Sequence, residues 1–282
     1  MKTSVIISVY NRSDLLLRCL KSLNNQSLLP DEIVLTDDGS TEDIVSILEQ
    51  SEEDYKFSIL YCKQSDIGFR LARCKNNGVR ESNGDIMIFL DQDIVTTKNY
   101  IKTIVENIRE GVFTVSLPIR TTDEQAQLIT EGHIIKGNFD DIVNCKQMNH
   151  IKEQYWNEKL YYHLHKWHLR HMGLKLRGGV FAIYKKDFLK VNGFDENFTQ
   201  WGNEDDDLGR RLNNVKVVGI NPFKNDYTVH LYHQQNSLGG RKNQEYNRLV
   251  KEKAKAGYYF CEFGINSTKD NDEVRVISIK EN

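Results

Sequence analysis

Ile86-Met87-Ile88-Phe89-Leu90-Asp91-Gln92-Asp93 is an apolar run that stops at two carboxylates two residues apart. A short continuous apolar run with polar residues on either side reads as a strand buried on both faces, the form strands take in the parallel sheets of α/β proteins. The carboxylates then stand at its carboxyl end, where ligands bind in open α/β sheets. Paired hard oxygens beside a crevice suit Mg2+ or Mn2+, which complete their shell with water and substrate phosphates. Taken alone, an Asp-X-Asp is also an ordinary solvated turn, so the rest of the chain has to decide.

Working outward toward the N-terminus, Ser4 to Val9 (SVIISV) is a first buried strand, and Tyr10-Asn11-Arg12-Ser13 breaks it from a helix with Leu15, Leu16, Cys19, Leu20 and Leu23 at helical spacing. Glu32 to Leu35 is a second strand, followed by Thr36-Asp37-Asp38-Gly39-Ser40. Acidic residues again lie just past a strand end. A charged helix and a third strand, Phe57 to Cys62, follow. Alternating strands and helices with right-handed crossovers place these strand ends on one rim of a mostly parallel sheet. Within Gly68 to Gly78, Ala72, Asn76 and Val79 are expected to pack inward, with Arg70, Arg73 and Lys75 facing the rim, where cations hold a diphosphate.

Toward the C-terminus, Lys98 to Arg109 reads as a helix and Val112 to Leu117 as a strand. Thr121 to Met172 then loses clear periodicity and carries six of the eight histidines together with several aromatic residues. His163, His165, His168 and His171 have no Cys or carboxylate at ligand spacing, so an amphipathic lid or acceptor platform is preferred to a metal site. Order returns at Leu176 to Tyr184, where Gly178-Gly179 opens a strand and permits close backbone approach. Glu204-Asp205-Asp206-Asp207 begins a helix with Leu208 and Leu212 on one face. Capping explains one or two of these acids; four in a row suggest that one is a base with a raised pKa. Tyr227 to Gln234 brings His230 and His233 near a strand end. The chain closes with a helix from Glu245 to Ala256 and a short apolar tail, Val274 to Ile279.

A length of 282 residues allows one large α/β domain, and a formal net charge of -2 argues against nucleic acid as the main partner. Five dispersed cysteines without a Cys-X-X-Cys pair argue for a reducing compartment, and the short N-terminal apolar strand is no signal peptide. A cytoplasmic protein is expected, with peripheral association at the inner face of a membrane left open. No repeat or linker interrupts the chain. The expected organisation is one compact unit of residues 1–120, 121–175, 176–245 and 246–282, the second stretch a variable insertion and the last a C-terminal extension.

The motifs SVIISVYNR, LTDDGS and GFRLARCKNNGVRESNGDIMIFLDQD together resemble the family 2 glycosyltransferases of the GT-A fold. The stretch RGGVFAIYKKDFLKVNGFDENFTQWGNEDDDLGRRL resembles the galactosyltransferase segment of β-1,4-galactosyltransferases and bacterial chondroitin polymerase. This resemblance implies a Rossmann-like, mostly parallel sheet flanked by helices, a UDP-sugar donor, Mn2+ or Mg2+, and a glycan or glycolipid acceptor. It assigns Asp91-Gln92-Asp93 to the DXD motif, with Asp93 on the metal and Asp91 near the metal or ribose. Asp38, with Asp37, would meet the uracil, while Val9, Tyr10 and Arg12 line the nucleotide cleft. Lys75 or Arg70 takes the basic position near the diphosphate. Gly178, Gly179 and Trp201 approach the donor sugar, His233 completes the metal site, and Asp205 is the base beside Glu204.

The function expected is therefore metal-dependent, inverting transfer of a hexose, with galactose or N-acetylgalactosamine favoured, in surface polysaccharide or lipopolysaccharide synthesis. A retaining transferase of the same fold is the nearest alternative. A sugar nucleotidyltransferase is disfavoured because SVYNR holds no glycine for a phosphate loop, and a non-catalytic carbohydrate-binding protein because the acidic residues are all present.

Overall fold

The computed structural model describes residues 1–51, 53–170, 173–234 and 241–281. The chain begins by alternating strand and helix: β1 (Thr3–Val9), α1 (Ser13–Asn24), β2 (Glu32–Asp37), α2 (Ile44–Glu49), β3 (Ser58–Lys63), α3 (Leu71–Glu81) and β4 (Ile86–Asp91). Each helix returns the chain for another strand in the same direction, so β3, β2, β1 and β4 lie side by side and parallel. The chain continues through β5 (Ile94–Thr96), α4 (Tyr100–Asn107), β6 (Val112–Val115), β7 (Pro118–Arg120), α5 (Asp123–Leu128), α6 (Glu131–Lys136) and α7 (Cys145–Lys166). It ends with β8 (Val180–Tyr184), α8 (Lys185–Lys190), α9 (Glu204–Asn214), β9 (Val218–Ile220), β10 (Thr228–His230), α10 (Arg241–Lys255) and β11 (Arg275–Lys280).

The main sheet has the order β11-β3-β2-β1-β4-β8-β6-β9, and β5, β10 and β7 form a second, three-stranded sheet. This is the α/β architecture expected, a large mostly parallel sheet flanked by helices. β8 runs antiparallel to both β4 and β6, which turns its N-terminal end toward the carboxyl end of β4. The apolar C-terminal stretch is more than a tail: as β11 it pairs antiparallel with β3 and covers that edge of the parallel block.

The apolar runs are continuous because both faces of the sheet are covered. Val5, Ile7, Val9, Ile88 and Leu90 pack on one side with Leu16, Leu20, Ile101 and Ile104 from α1 and α4. Ile6, Val34, Met87 and Phe89 face the other side, against Phe188, Phe194, Leu208 and Leu212. Phe89 stacks on Phe181 across β4 and β8, with centroids 4.4 Å apart. A third cluster joins Val95, Ile119 and Val229 of the small sheet to Phe139 and Ile151, which seats the 121–170 region on the main body.

That region is helical where no periodicity is visible in the sequence. α7 is 22 residues long, its N-terminus closed by a reciprocal cap between Asn144 and Gln147. It buries only Ile151 and Glu158, while Trp156, Leu160 and Tyr161 are exposed, so it carries no single apolar stripe and the amphipathic expectation is corrected. His171 lies outside the described residues, and His163, His165 and His168 join no metal-ligand cluster among them. Among the described residues no helix is long and apolar enough to cross a membrane.

One of the four consecutive acids belongs to the frame rather than to the rim. Asp207 and Arg211 are buried together on α9, with Arg211 Nε donating to Asp207 Oδ2 at 2.6 Å and Nη1 donating to the carbonyls of Val191 and Gly193. This pair locks α9 to the turn after α8. Removing one member leaves an uncompensated buried charge, worth about 3–5 kcal/mol. Asp207→Ala is therefore expected to lower the chemical-denaturation stability by that amount, whereas a loss under 1 kcal/mol would show that α9 is anchored by other contacts.

Candidate active site

The strand ends meet as the parallel register requires. Ser8 pairs with Asp91 and Val9 with Asp37, which sets β1, β2 and β4 level at one rim. The loop after β1 is fixed by neighbours on both sides. Gln92 Oε1 accepts from the Tyr10 N–H at 3.0 Å and its amide donates to the Asn11 carbonyl at 2.9 Å, so the middle residue of Asp91-Gln92-Asp93 acts as a brace. Asn11 and Arg12 adopt left-handed backbone, at φ 53° and 56°. Glu42 makes that turn tenable by accepting the Arg12 and Ser13 N–H groups at the start of α1. Tyr10 remains exposed at the rim, and Arg12 donates to the Gln234 carbonyl at 3.3 Å.

The two acids after β2 have different fates. Asp37 is fully buried: it accepts the N–H groups of Gly39 and Ser40 and the Tyr61 hydroxyl at 2.6 Å. This corrects the expectation that Asp37 would meet a base, since its oxygens hold the turn that presents Asp38. Asp38 accepts from Gln64 at 2.5 Å and from the Arg70 N–H at 2.9 Å, and burial pushes its carboxyl up to about 6 against these hydrogen bonds.

Arg70 and Arg73 do not reach the site. Arg70 binds Asp270 at 3.1 Å and Asp272 at 2.9 Å, and Arg73 binds Asp272 at 2.8 Å. The C-terminal segment thus takes the two cations that were expected to face the rim. Lys75 alone turns toward it. Buried to 1% exposure, its ammonium donates to the Gly178 carbonyl at 2.8 Å and stands 3.4 Å from Asp91 Oδ1.

Asp91 and Asp93 are divided between two neighbourhoods. Asp91 accepts the Ser8 hydroxyl at 2.9 Å and faces Lys75. Burial opposes its charge, but the Lys75 ammonium and the Ser8 hydroxyl outweigh that and hold the carboxyl below its ordinary value. Asp93 faces the end of β10: His233 Nε2 is 2.9 Å and His230 Nε2 3.5 Å from its Oδ2. Asp93, His230 and His233 form a ligand triad with all donor atoms within 4.8 Å, and Asp91 stands outside it. The third member is His230, for which the sequence left open whether it assists His233.

The triad suits a cation. Oδ1 of Asp93 is buried without a hydrogen-bond partner among the described residues. His233 Nδ1 lies 3.1 Å from the Gln234 carbonyl, and in the neutral tautomer whose Nδ1–H donates to that carbonyl, His233 turns a lone pair on Nε2 toward the carboxylate. Two acceptors 2.9 Å apart need positive charge between them, either a proton or a metal ion. Consistently, the hydrogen bond to Asp93 raises the His233 pKa. One carboxylate and two imidazoles beside solvent, with positions left for water and phosphate, fit Mn2+.

Gly178 and Gly179 join this half to the acids of α9. A Cβ on Gly179 would sit 2.1 Å from Asp91 Oδ2, and one on Gly178 would sit 3.1 Å from the Asp205 Cβ and 3.7 Å from Glu204 Oε1. Only a side-chain-free turn lets β8 bring Asp91 and the start of α9 this close. The Gly178 N–H donates to Asp205 Oδ2 at 3.3 Å, and Asp206 is drawn aside by Lys175 at 3.0 Å. Burial and then the charge on Asp206 raise the Asp205 pKa, and burial and then Asp205 push Glu204 up to about 7. Glu204 Oε2 is buried without a partner among the described residues. Trp201, 67% exposed, stands in the turn before α9.

Residues 4–192 match the model of glycosyl transferase family 2, and residues 158–234 match a model described as the N-terminal domain of galactosyltransferase. The chain is 28% identical to chondroitin synthase of Escherichia coli over 231 residues, covering 74% of this chain and 32% of that protein. It is 27% identical to validoxylamine A glucosyltransferase of Streptomyces hygroscopicus subsp. limoneus over 220 residues, covering 74% of this chain and 47% of that protein. The chain thus spans less than half the length of either relative. The solved structure of GalNAc-T7 with UDP, GalNAc and Mn2+ superposes with a TM-score of 0.62 at 18% identity, covering 90% of this chain and 50% of that one, a likeness of fold. With the family match running over more than half of the chain and from β1 through β8, the chain belongs to glycosyl transferase family 2.

Proposed function

We propose that the chain transfers a hexosyl group from a UDP-sugar to an acceptor hydroxyl with inversion at the anomeric carbon. The observation that carries this reading is the meeting at Gly178-Gly179 of two unlike groups of acids. On one side lies an Asp93-His230-His233 triad suited to a cation, on the other a carboxyl pair with raised pKa values, of which Glu204 is buried. The relatives' names, and a related fold holding UDP, GalNAc and Mn2+, support a UDP-hexose donor, with galactose or N-acetylgalactosamine favoured, and a glycan acceptor in surface polysaccharide synthesis.

Asp38, Tyr10 and Val9 are placed to receive the nucleotide, and Asp91, kept anionic by Lys75, to receive a hydroxyl of the ribose or donor sugar. Asp93, His230 and His233 would hold the divalent ion, which when bound supplies Lewis-acid compensation for charge on the departing diphosphate. Asp205 takes the acceptor hydroxyl proton while that oxygen forms the new bond to the anomeric carbon from the face opposite UDP, and the bond to the diphosphate oxygen breaks. Glu204, beside it, is placed to accept a sugar hydroxyl.

Anomeric NMR of the first product should show inversion, and Asp205→Asn should reduce transfer by roughly 10²–10⁴-fold while UDP still binds. A retained anomer, or near-normal turnover by this variant, would remove Asp205 from the role of base. His233→Ala and His230→Ala are each expected to raise the Mn2+ concentration needed for half-maximal UDP release by about 10–100-fold; an unchanged requirement would place the ion elsewhere.

Glu204 also predicts a pH signature in stability. Its folded pKa, about 7, lies above the ordinary value of 4.5, so the folded state holds an extra proton between these values and stability falls as pH rises through them. Glu204→Gln removes that penalty. Thermal melting should show a gain of roughly 2–6 °C at pH 8.5 and little at pH 5; equal gains at both would mean that Glu204 is not held against its charge.

A further inference from the structure

α7 buries only two of its residues, Ile151 and Glu158. Ile151 belongs to the third apolar cluster, which seats the helix on the main body. Glu158 does something that apolar contact cannot. At 3% exposure, it accepts from Gln154 Nε2 and from Asn221 Nδ2, each at 2.7 Å, and from Arg177 Nη2, so both of its oxygens are engaged. A buried ion pair is a poor device for anchoring a helix, because desolvating two charges offsets most of their attraction. What its directional bonds do well is fix where a guanidinium lies.

Arg177 is the first residue of the glycine turn. Its carbonyl accepts the Val180 N–H at 3.2 Å, which closes Arg177-Gly178-Gly179-Val180. Both ends of that turn meet Ser116, just past β6: Arg177 Nη1 donates to the Ser116 carbonyl at 3.3 Å, and the Ser116 N–H donates to the Val180 carbonyl at 3.2 Å. Between the ends lie two glycines, which have more backbone freedom than other residues and no side chain to restrain it. Yet their peptide groups make three contacts at the rim. The Gly178 N–H donates to Asp205 at 3.3 Å, the Gly178 carbonyl accepts from Lys75 at 2.8 Å, and the Gly179 carbonyl accepts the Asp91 N–H at 3.2 Å. A turn without side chains of its own is placed from its flank.

We propose that Glu158 and Arg177 are positioning residues for the transfer reaction: the carboxylate on α7 fixes the guanidinium, and the guanidinium fixes the glycine turn against Asp205, Lys75 and Asp91. α7 then reaches the chemistry through this ion pair, although none of its side chains stands at the rim contacts just described. The effect on turnover rests on the reading of Asp205 as the base; the link from α7 to the turn does not.

Glu158→Gln and Arg177→Gln are to be compared with Ile151→Ala, which loosens α7 without touching Arg177. With UDP-galactose as donor and Mn2+ saturating, kcat for UDP release should fall roughly 10–100-fold in each of the first two, with the donor KM within about two-fold of the wild type. The double variant Glu158→Gln/Arg177→Gln should be about as slow as either single one, because the pair acts as a unit. It leaves no charge unpaired, so it is also the variant to measure where a single one fails to fold. Ile151→Ala should lower the melting temperature and keep kcat. A second readout needs no turnover: a loosened turn hydrates Glu204, so the gain in melting temperature that Glu204→Gln brings at pH 8.5 should shrink by about half or more in the double-variant background. Wild-type kcat in the double variant, a loss in Ile151→Ala equal to that in Glu158→Gln, or an undiminished gain from Glu204→Gln would each overturn the proposal. A failure of the transferase reading would show separately, as absent UDP release from the wild type with the Glu204→Gln gain still diminished by the double variant.

Discussion

Everything at the rim depends on a steric allowance of two hydrogen atoms. Because Gly178 and Gly179 lack side chains, β8 can start in contact with Asp91 on one side and the first turn of α9 on the other. The antiparallel placement of β8 beside β4 makes this contact possible, since a parallel strand would begin at the opposite edge of the sheet. The close approach then has electrostatic results. It helps to bury Glu204, places the Gly178 N–H on Asp205, and lets the buried Lys75 bridge the Gly178 carbonyl and Asp91. Packing and protonation are thus one arrangement: whatever widens the glycine turn also hydrates the carboxyl pair and lowers its raised pKa values.

Much of the scaffold was legible because its residues report a single environment. SVIISV, EIVL and IMIFLD each have an apolar centre that both faces of the sheet bury, and the acids that end EIVLTDD and IMIFLD mark the rim. What stayed illegible had competing causes. Asp37 and Asp38 are chemically alike, and nothing in LTDDGS says that the first turns back on Gly39, Ser40 and Tyr61 while the second faces the cleft. The four acids from Glu204 to Asp207 hid a similar division. Asp207 belongs to Arg211, four residues on, a pairing visible as helical spacing but outweighed by the look of a uniform acidic cluster. α7 escaped notice because it buries so little of its surface.

The triad at Asp93 shows how a site can declare its charge requirement through geometry. His233 is oriented by the Gln234 carbonyl, and His230 arrives beside it because β10 lies against β5, the strand that follows Asp93 directly. Both imidazoles therefore come from one short strand and the residues after it, held by a sheet separate from the main one. His230 was the less visible of the two because spacing along an extended segment does not tell which side chains turn to a neighbour.

The clamp of Asp270 and Asp272 on Arg70 and Arg73 has a temporal consequence. Arg70 presents its backbone N–H to Asp38, and Gln64, held by Arg73 at 3.1 Å, presents its amide to the same carboxylate. The loop around Asp38, Gln64 and Arg70 is therefore braced by residues made some two hundred positions later. During synthesis the N-terminal strands can pair as they emerge, but Arg70 and Arg73 meet their carboxylate partners only once residues 270–272 have been made, and the β3 edge is covered only once β11 has docked on it. The surroundings of Asp38 are thus completed long after Asp38 itself is made.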